Sequence, residues 1–299
     1  SIPERRTYTR RLERELIKKG APAEVIGLGA SDFSTTQELL VYDRIGEQFS
    51  ADIVGIQFFA LNDFINNEIS FANRNQGRGD FMRPYAAPDG THRIWQEVSG
   101  LGITYLSPVK KWWRDHVHLA RVLSTLYHWL RWKLPLPSPG CTNELRLFVV
   151  EKDEDWRRAI GITERILRAF KARVEWVPDA NPSQRYAKGS PRLLLFHFVS
   201  PHEVNDRLWN EAILPQLRSC FPGKSFSPRE GERLVHELGR KVGIPTFSLR
   251  QAFHEHVSRG IDLYLPDGHL NEKGNELAAN ALAPFFHSQV KSMAPRKQR

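Results

Sequence analysis

Near the end of the chain, the stretch "LYLPDGHLNEKGNELAANAL" (Leu263–Leu282) places Asp267 and His269 two residues apart, just before an amphipathic helical pattern. A carboxylate beside an imidazole can fix the ring tautomer and stabilise its charged form, which makes the pair two members of a catalytic triad. The same residues also read as a turn at Asp267-Gly268 followed by a helix cap, with His269 on the surface. Two earlier stretches also pair small residues with hydrogen-bonding groups: "GASDFST" (Gly29–Thr35), which contains Asp32, and "ALND" (Ala60–Asp63), which contains Asn62. Asn62-Asp63 is equally readable as a turn. His254 and His256 have the spacing of metal ligands but no carboxylate or cysteine companions, so no metal or other cofactor is expected. His197 and His202 flank a strand end and read as structural.

These residues need a frame. Tyr8, Leu12, Leu16 and Ile17 fall at helical spacing, with Gly20 as a stop. "EVIGLGAS" (Glu24–Ser31) predicts a short buried strand, and "TTQELLVYDRIGEQF" (Thr35–Phe49) a helix with Leu39, Leu40 and Ile45 inward. "ADIVGIQFFALND" (Ala51–Asp63) predicts a second buried strand. After a long break, "LRLFVV" (Leu145–Val150) is a candidate strand and "DEDWRRAIGITERILRAFKA" (Asp153–Ala172) a long helix. "RLLLFHFVS" (Arg192–Ser200) is the strongest strand pattern in the chain. "PREGERLVHELGRKVG" (Pro228–Gly243) opens a helix with proline, "IPTFSL" (Ile244–Leu249) closes the strands, and "NEKGNELAANALAPFF" (Asn271–Phe286) is the last helix. Continuous apolar strands alternating with amphipathic helices imply a parallel sheet covered on both faces. Such sheets bind ligands at the carboxyl ends of their strands, where the three polar stretches fall.

The expected architecture is a single α/β domain over residues 1–299, with an insertion at about 65–143 and a disordered basic tail at about 288–299. Inside the insertion, Leu119, Val122, Leu123, Leu126, Tyr127 and Leu130 form a helical stripe, and Trp112, Trp113, Trp129 and Trp132 lie near basic residues. A lid helix packed on the domain, or peripheral membrane contact, would use such a segment. Trp112–Leu134 is expected to cap the site opening.

The chain carries 43 Lys and Arg against 34 Asp and Glu, a net charge of +9. The basic residues are scattered, so nucleic acid is not expected as a partner. Cys141 and Cys220 are too few for a disulfide framework, and one disulfide or two free thiols both fit.

Taken together, Gly29-Ala30-Ser31-Asp32-Phe33-Ser34-Thr35, Leu61-Asn62-Asp63 and Asp267-Gly268-His269-Leu270-Asn271 with Gly274 resemble the later sequence blocks of the SGNH hydrolases, also called the GDSL esterase/lipase family. The resemblance covers roughly residues 1–67 and 192–286. It implies a three-layer αβα sandwich with a flavodoxin-like sheet of order 2-1-3-4-5, and a serine-type hydrolase acting on an acylated lipid, glycan or small ester. His269 would be the general base and Asp267 its orienting carboxylate. Asn62 and a backbone N–H near Asp32 would hold the oxyanion. The sequence departs from the family at Asp32 and Ala60, where glycine is usual.

The larger departure is the nucleophile. The family carries it in a Gly-Asp-Ser block after the first strand, and no such block is present. Ser1 stands too close to Tyr8 for the usual spacing. In the family's strand order the strand missing with that block is central, and each buried backbone group it leaves unpaired would cost about 1–3 kcal/mol. The expectation is therefore a truncated copy of a longer hydrolase. The alternative is a non-catalytic relative that binds an acyl or glycan ligand.

Overall fold

The computed structural model describes residues 2–30, 33–67, 85–86, 94–95, 122, 126, 141–175 and 191–293. Among these the chain is mixed α/β with a three-stranded parallel sheet. Strand β1 (Ile53–Phe59) is followed by a short antiparallel pair, β2 (Tyr85–Ala86) and β3 (Ile94–Trp95), then by β4 (Arg192–Phe198) and β5 (Thr246–Ser248). The sheet order is β1-β4-β5. Ile53 pairs with Arg192 and Phe59 with Phe198, while Leu195 pairs with Thr246 and His197 with Ser248.

β4 is the strongest strand pattern because both its edges and both its faces are covered, and Leu193 through Phe198 are all buried. On one face Ile56, Phe58, Leu193 and Leu195 pack against Trp156, Leu167 and Phe170, and against Leu234 and Leu238. On the other, Phe196 and Phe198 meet Leu12, Leu16, Phe253 and the alanine-rich stretch Ala278, Ala279, Leu282 and Ala283. Each large apolar side chain so buried contributes about 1.5–3 kcal/mol.

The helices that supply these residues are α1 (Tyr8–Lys18), α2 (Thr35–Arg44), α3 (Asp63–Asn67), α4 (Glu154–Val174), α5 (Pro201–Val204), α6 (Leu214–Cys220), α7 (Glu230–Val242), α8 (Arg250–Ser258) and α9 (Glu272–Met293). Asp153 caps α4 by accepting the Trp156 N–H at 3.0 Å. Small residues on α9 let α1 lie close against it. Arg6 and Arg11 then reach Glu272 at 2.6 and 3.0 Å, exposed pairs worth at most about 1 kcal/mol.

Several sequence expectations are corrected. Residues 24–30 form no strand, and Ile26 and Leu28 are 42% and 36% exposed. A strand needs a ladder partner, and a groove separates this segment from β1. Ile17 and Ile45 point outward, because α1 buries only its Leu12–Leu16 stripe and α2 ends at Arg44, giving way to a 3-10 turn at Gly46–Phe49. "LRLFVV" is a 3-10 turn over Leu145–Phe148 with a single bridge from Val149 to Phe226. α9 continues to Met293, past the expected start of a disordered tail. Cys141 and Cys220 form a disulfide with Cα atoms 5.5 Å apart. The expected cap helix over Trp112–Leu134 lies outside the described residues except for Val122 and Leu126, which are helical and 60% and 45% exposed. Among the described residues no helix is long and apolar enough to cross a membrane.

Candidate functional site

The Asp267–His269 segment is a tight turn. The Gly268 N–H donates to the Leu265 carbonyl at 2.9 Å, and the Leu265 N–H donates to the His269 carbonyl at 2.7 Å. Gly268 has φ +87°, a left-handed conformation that glycine adopts at little cost. Asn271 then starts α9. Its Oδ1 accepts the Gly274 N–H at 2.9 Å, and its Nδ2 donates to the Asp262 carbonyl at 2.9 Å. A Cβ on Gly274 would press into the carbonyl oxygen of Leu263. The Asn271 and Gly274 positions therefore seat the helix against the segment that carries the turn.

Within that turn, His269 Nδ1 lies 3.2 Å from Asp267 Oδ1, and the same oxygen accepts the His269 N–H at 3.1 Å. The two side chains are 73% and 53% exposed. The pair and the turn thus coexist, and the imidazole keeps its Nε2 side open to solvent. Among the described residues no hydroxyl bonds the ring.

Asn62 stands just past the carboxyl end of β1. Its N–H donates to the Phe59 carbonyl at 3.1 Å, and its carbonyl accepts the Asn66 N–H at 2.7 Å, which opens α3. The side-chain Oδ1 is buried without a partner. Asp267, His269 and Asn62 line one groove of about 2540 Å³. Asp32 and Ser1 lie outside the described residues.

Sequence reasoning missed the groups beside Asn62. Asp63 Oδ2 accepts the Phe59 N–H at 2.5 Å. Burial pushes the Glu38 carboxyl up to about 8, and its Oε2 has no partner. Burial, then the Glu38 charge, raises Asp63 well above the usual carboxylate range, opposed by the Phe59 N–H. Both acids line the groove. Each buried carboxyl disfavours the other's charge, which keeps protons on this pair to higher pH than an exposed acid would hold them. Tyr8 is raised by burial and then by Glu38, and its hydroxyl donates to Gln57 Oε1 at 2.6 Å. In sequence, Glu38 is one polar residue in a helix and carries no signal; only the fold turns it toward Asp63.

A second cluster joins the carboxyl ends of β4 and β5. His197 Nε2 lies 3.2 Å from Glu203 Oε1, and its Nδ1 lies 3.3 Å from Ser248 Oγ. This is the order of a serine–histidine–glutamate relay, but His197 is fully buried. Gly231 covers it, since a Cβ there would meet Glu203 Oε1 at 2.5 Å. Glu203 Oε2 meanwhile accepts from the Ser200 N–H and hydroxyl at 2.8 and 3.0 Å, a capping box for α5. The cluster ties strand ends to a helix and admits no substrate. Next to it His202 is half-buried and held below the ordinary histidine range by desolvation, offset by Glu203.

His254 and His256 turn to different partners. His254 Nε2 meets Asp206 Oδ2 at 3.0 Å, and His256 Nδ1 meets the Ala252 carbonyl at 2.8 Å. Comparison with protein-family models, with curated proteins and with solved structures finds no match.

Proposed function

We propose that this chain carries the histidine, aspartate and oxyanion amide of an SGNH-like serine ester hydrolase. The observation that supports the reading is the Asp267–His269 pair, made at 3.2 Å on the rim of the same groove that Asn62 lines. In this reading the three-stranded sheet is the 3-4-5 half of a flavodoxin-like order.

The chemistry would run in two halves. A serine hydroxyl attacks the ester carbonyl while His269 Nε2 takes its proton, and Asp267 stabilises the resulting imidazolium. The Asn62 amide steadies the oxyanion. Collapse of the intermediate breaks the ester C–O bond, and His269 returns the proton to the leaving alcohol. Water, activated by the same ring, then releases the acid and regenerates the serine. The nucleophile is not among the described residues and has no Gly-Asp-Ser block in the sequence.

The test is a fluorophosphonate probe applied to the 299-residue chain and to the polypeptide of the complete reading frame. The proposal expects labelling and short-chain ester hydrolysis only in the latter, both lost on His269→Ala. Labelling of Ser1 in the 299-residue chain, or none in either, overturns it.

A further inference from the structure

We infer that His202 reads a hydroxyl of the bound ester, so that the site takes an acylated glycan or polyol rather than a lipid ester. The inference rests on the hydrolase reading and narrows its substrate.

The first observation is where His202 stands. Phe59 and Phe198 are register partners at the carboxyl ends of β1 and β4. Asn62 comes shortly after Phe59 and His202 shortly after Phe198, and both line the groove. The His202 ring lies 6.4 Å from Phe148 between centroids, and Phe148 shares one core cluster with Leu61, the neighbour of Asn62. From the other face of the sheet, Tyr264 donates its hydroxyl to the Val199 carbonyl at 3.1 Å. Tyr264 also bridges to Leu270 across the turn that carries Asp267 and His269. The turn with the candidate base is thereby tied to the strand end that leads into His202.

The second observation is the state of the ring. His202 is half-buried, yet its Nδ1 is fully buried and bonds no described residue. Native structures seldom leave such an atom unpaired. Burial favours the neutral imidazole, with Glu203 opposing. A neutral ring has one donor and one acceptor nitrogen, and its tautomer follows its partners. A hydroxyl both donates and accepts, so it satisfies Nδ1 in either tautomer. An alkyl chain satisfies it in neither, and an anionic group meets no positive charge on a neutral ring.

The third observation is the wall that continues from His202. Asn205 and Glu211 line the groove there, and Glu211 pairs with Arg207 at 3.0 Å. The Cys141–Cys220 disulfide holds the start of the 141–148 segment to the end of α6, and Thr142 and Glu144 of that segment line the same groove. Leu208 and Ile213 add apolar area just before and at the end of a π turn over Trp209–Ile213. Such turns are rare and recur at functional sites. Amide, hydroxyl and carboxylate groups around a small apolar patch suit the hydroxyls and the C–H face of a sugar ring. A lipid chain laid on the same wall would strip water from these polar groups without replacing its hydrogen bonds. The two glutamates disfavour an anionic ligand.

The test is histidine-selective NMR on the polypeptide of the complete reading frame, titrated with two amides that an esterase leaves intact. One is a methyl glucoside carrying an acetamido group, the amide counterpart of an acetylated sugar; the other is hexyl acetamide. The sugar amide is expected to shift the His202 ring signals and to bind at least about tenfold more tightly than the alkyl amide. His202→Phe keeps an aromatic ring beside Phe148 and is expected to erase that preference. His202→Gln keeps a hydrogen-bonding group and is expected to retain most of it. Unmoved His202 signals, equal binding of the two amides, or a preference that survives His202→Phe overturns the inference. Where a variant does not fold, the titration of the parent decides. Fluorophosphonate labelling of the same polypeptide separates this from the reading beneath it. Labelling without a sugar preference removes the glycan assignment and keeps the hydrolase. A sugar preference without labelling removes the hydrolase and keeps His202 in a polyol-binding wall.

Discussion

His269 Nδ1 and Asp267 Oδ1 face each other at 3.2 Å across a turn whose one intervening residue, Gly268, is in the left-handed region. The relationship separates function from stability. Both side chains are mostly exposed, so their contribution to folding is small. His269→Ala and Asp267→Asn should leave the denaturation midpoint within about 0.5 kcal/mol of the parent. In a catalytically complete polypeptide each should lower kcat/KM by about a hundred- to ten-thousand-fold. Loss of stability without loss of rate would make the pair only a turn.

Asn62 makes the opposite comparison, because it is partly buried and its backbone opens α3. Asn62→Ala keeps both backbone bonds and removes only the amide. In an active polypeptide, kcat for ester hydrolysis is expected to fall about a hundred- to a thousand-fold while circular dichroism stays unchanged. An unchanged kcat removes Asn62 from the reaction.

Glu38 gives a pH dependence whose sign follows from burial. Its carboxyl is raised in the folded state to about 8, above the ordinary 4.5, so the folded chain binds more protons between those values. Stability from this group is therefore highest below about 4.5 and declines as pH rises toward 8. Urea midpoints of the parent, compared at pH 5.5 and 8, should drop at the higher value. Glu38→Gln should flatten that drop and raise the midpoint at pH 8. A Gln variant with the parent's full pH slope would locate the titration elsewhere.

The sheet's centre and the turn were legible in the sequence, and the reason is the same for both. β4 is apolar but for Arg192 and His197 because it is covered on every side, and Gly268 and Gly274 are demanded by backbone geometry that other residues strain. Residues 24–30 misled because "EVIGLGAS" has a strand's composition, while strand formation depends on a neighbour that composition does not reveal. Ile17 failed because helical periodicity finds a stripe but not its width, and Ile45 because α2 stops one residue before it. The Glu38–Asp63 acids were illegible because they come from two separate elements, and the His197 cluster because Ser248 and Gly231 reach it from segments far along the chain.

Gly274 offers the sharpest test of how the frame holds the candidate site. Its missing side chain lets α9 approach the Leu263 carbonyl, and the same residue's N–H is fixed by Asn271. Gly274→Ala cannot be accommodated by rotating a side chain, because the obstacle is backbone. The helix start must shift, and with it the 265–270 turn that Leu265 and His269 close. The expected loss is about 1–3 kcal/mol in urea denaturation. By contrast, Gly260→Ala has open space around it and faces only its positive φ, so its cost should be nearer 1 kcal/mol. In an active polypeptide Gly274→Ala should also lower kcat more than Gly260→Ala does, since only the former displaces His269. Equal effects of the two substitutions on both readouts would mean that the close approach at Leu263 does not position the pair.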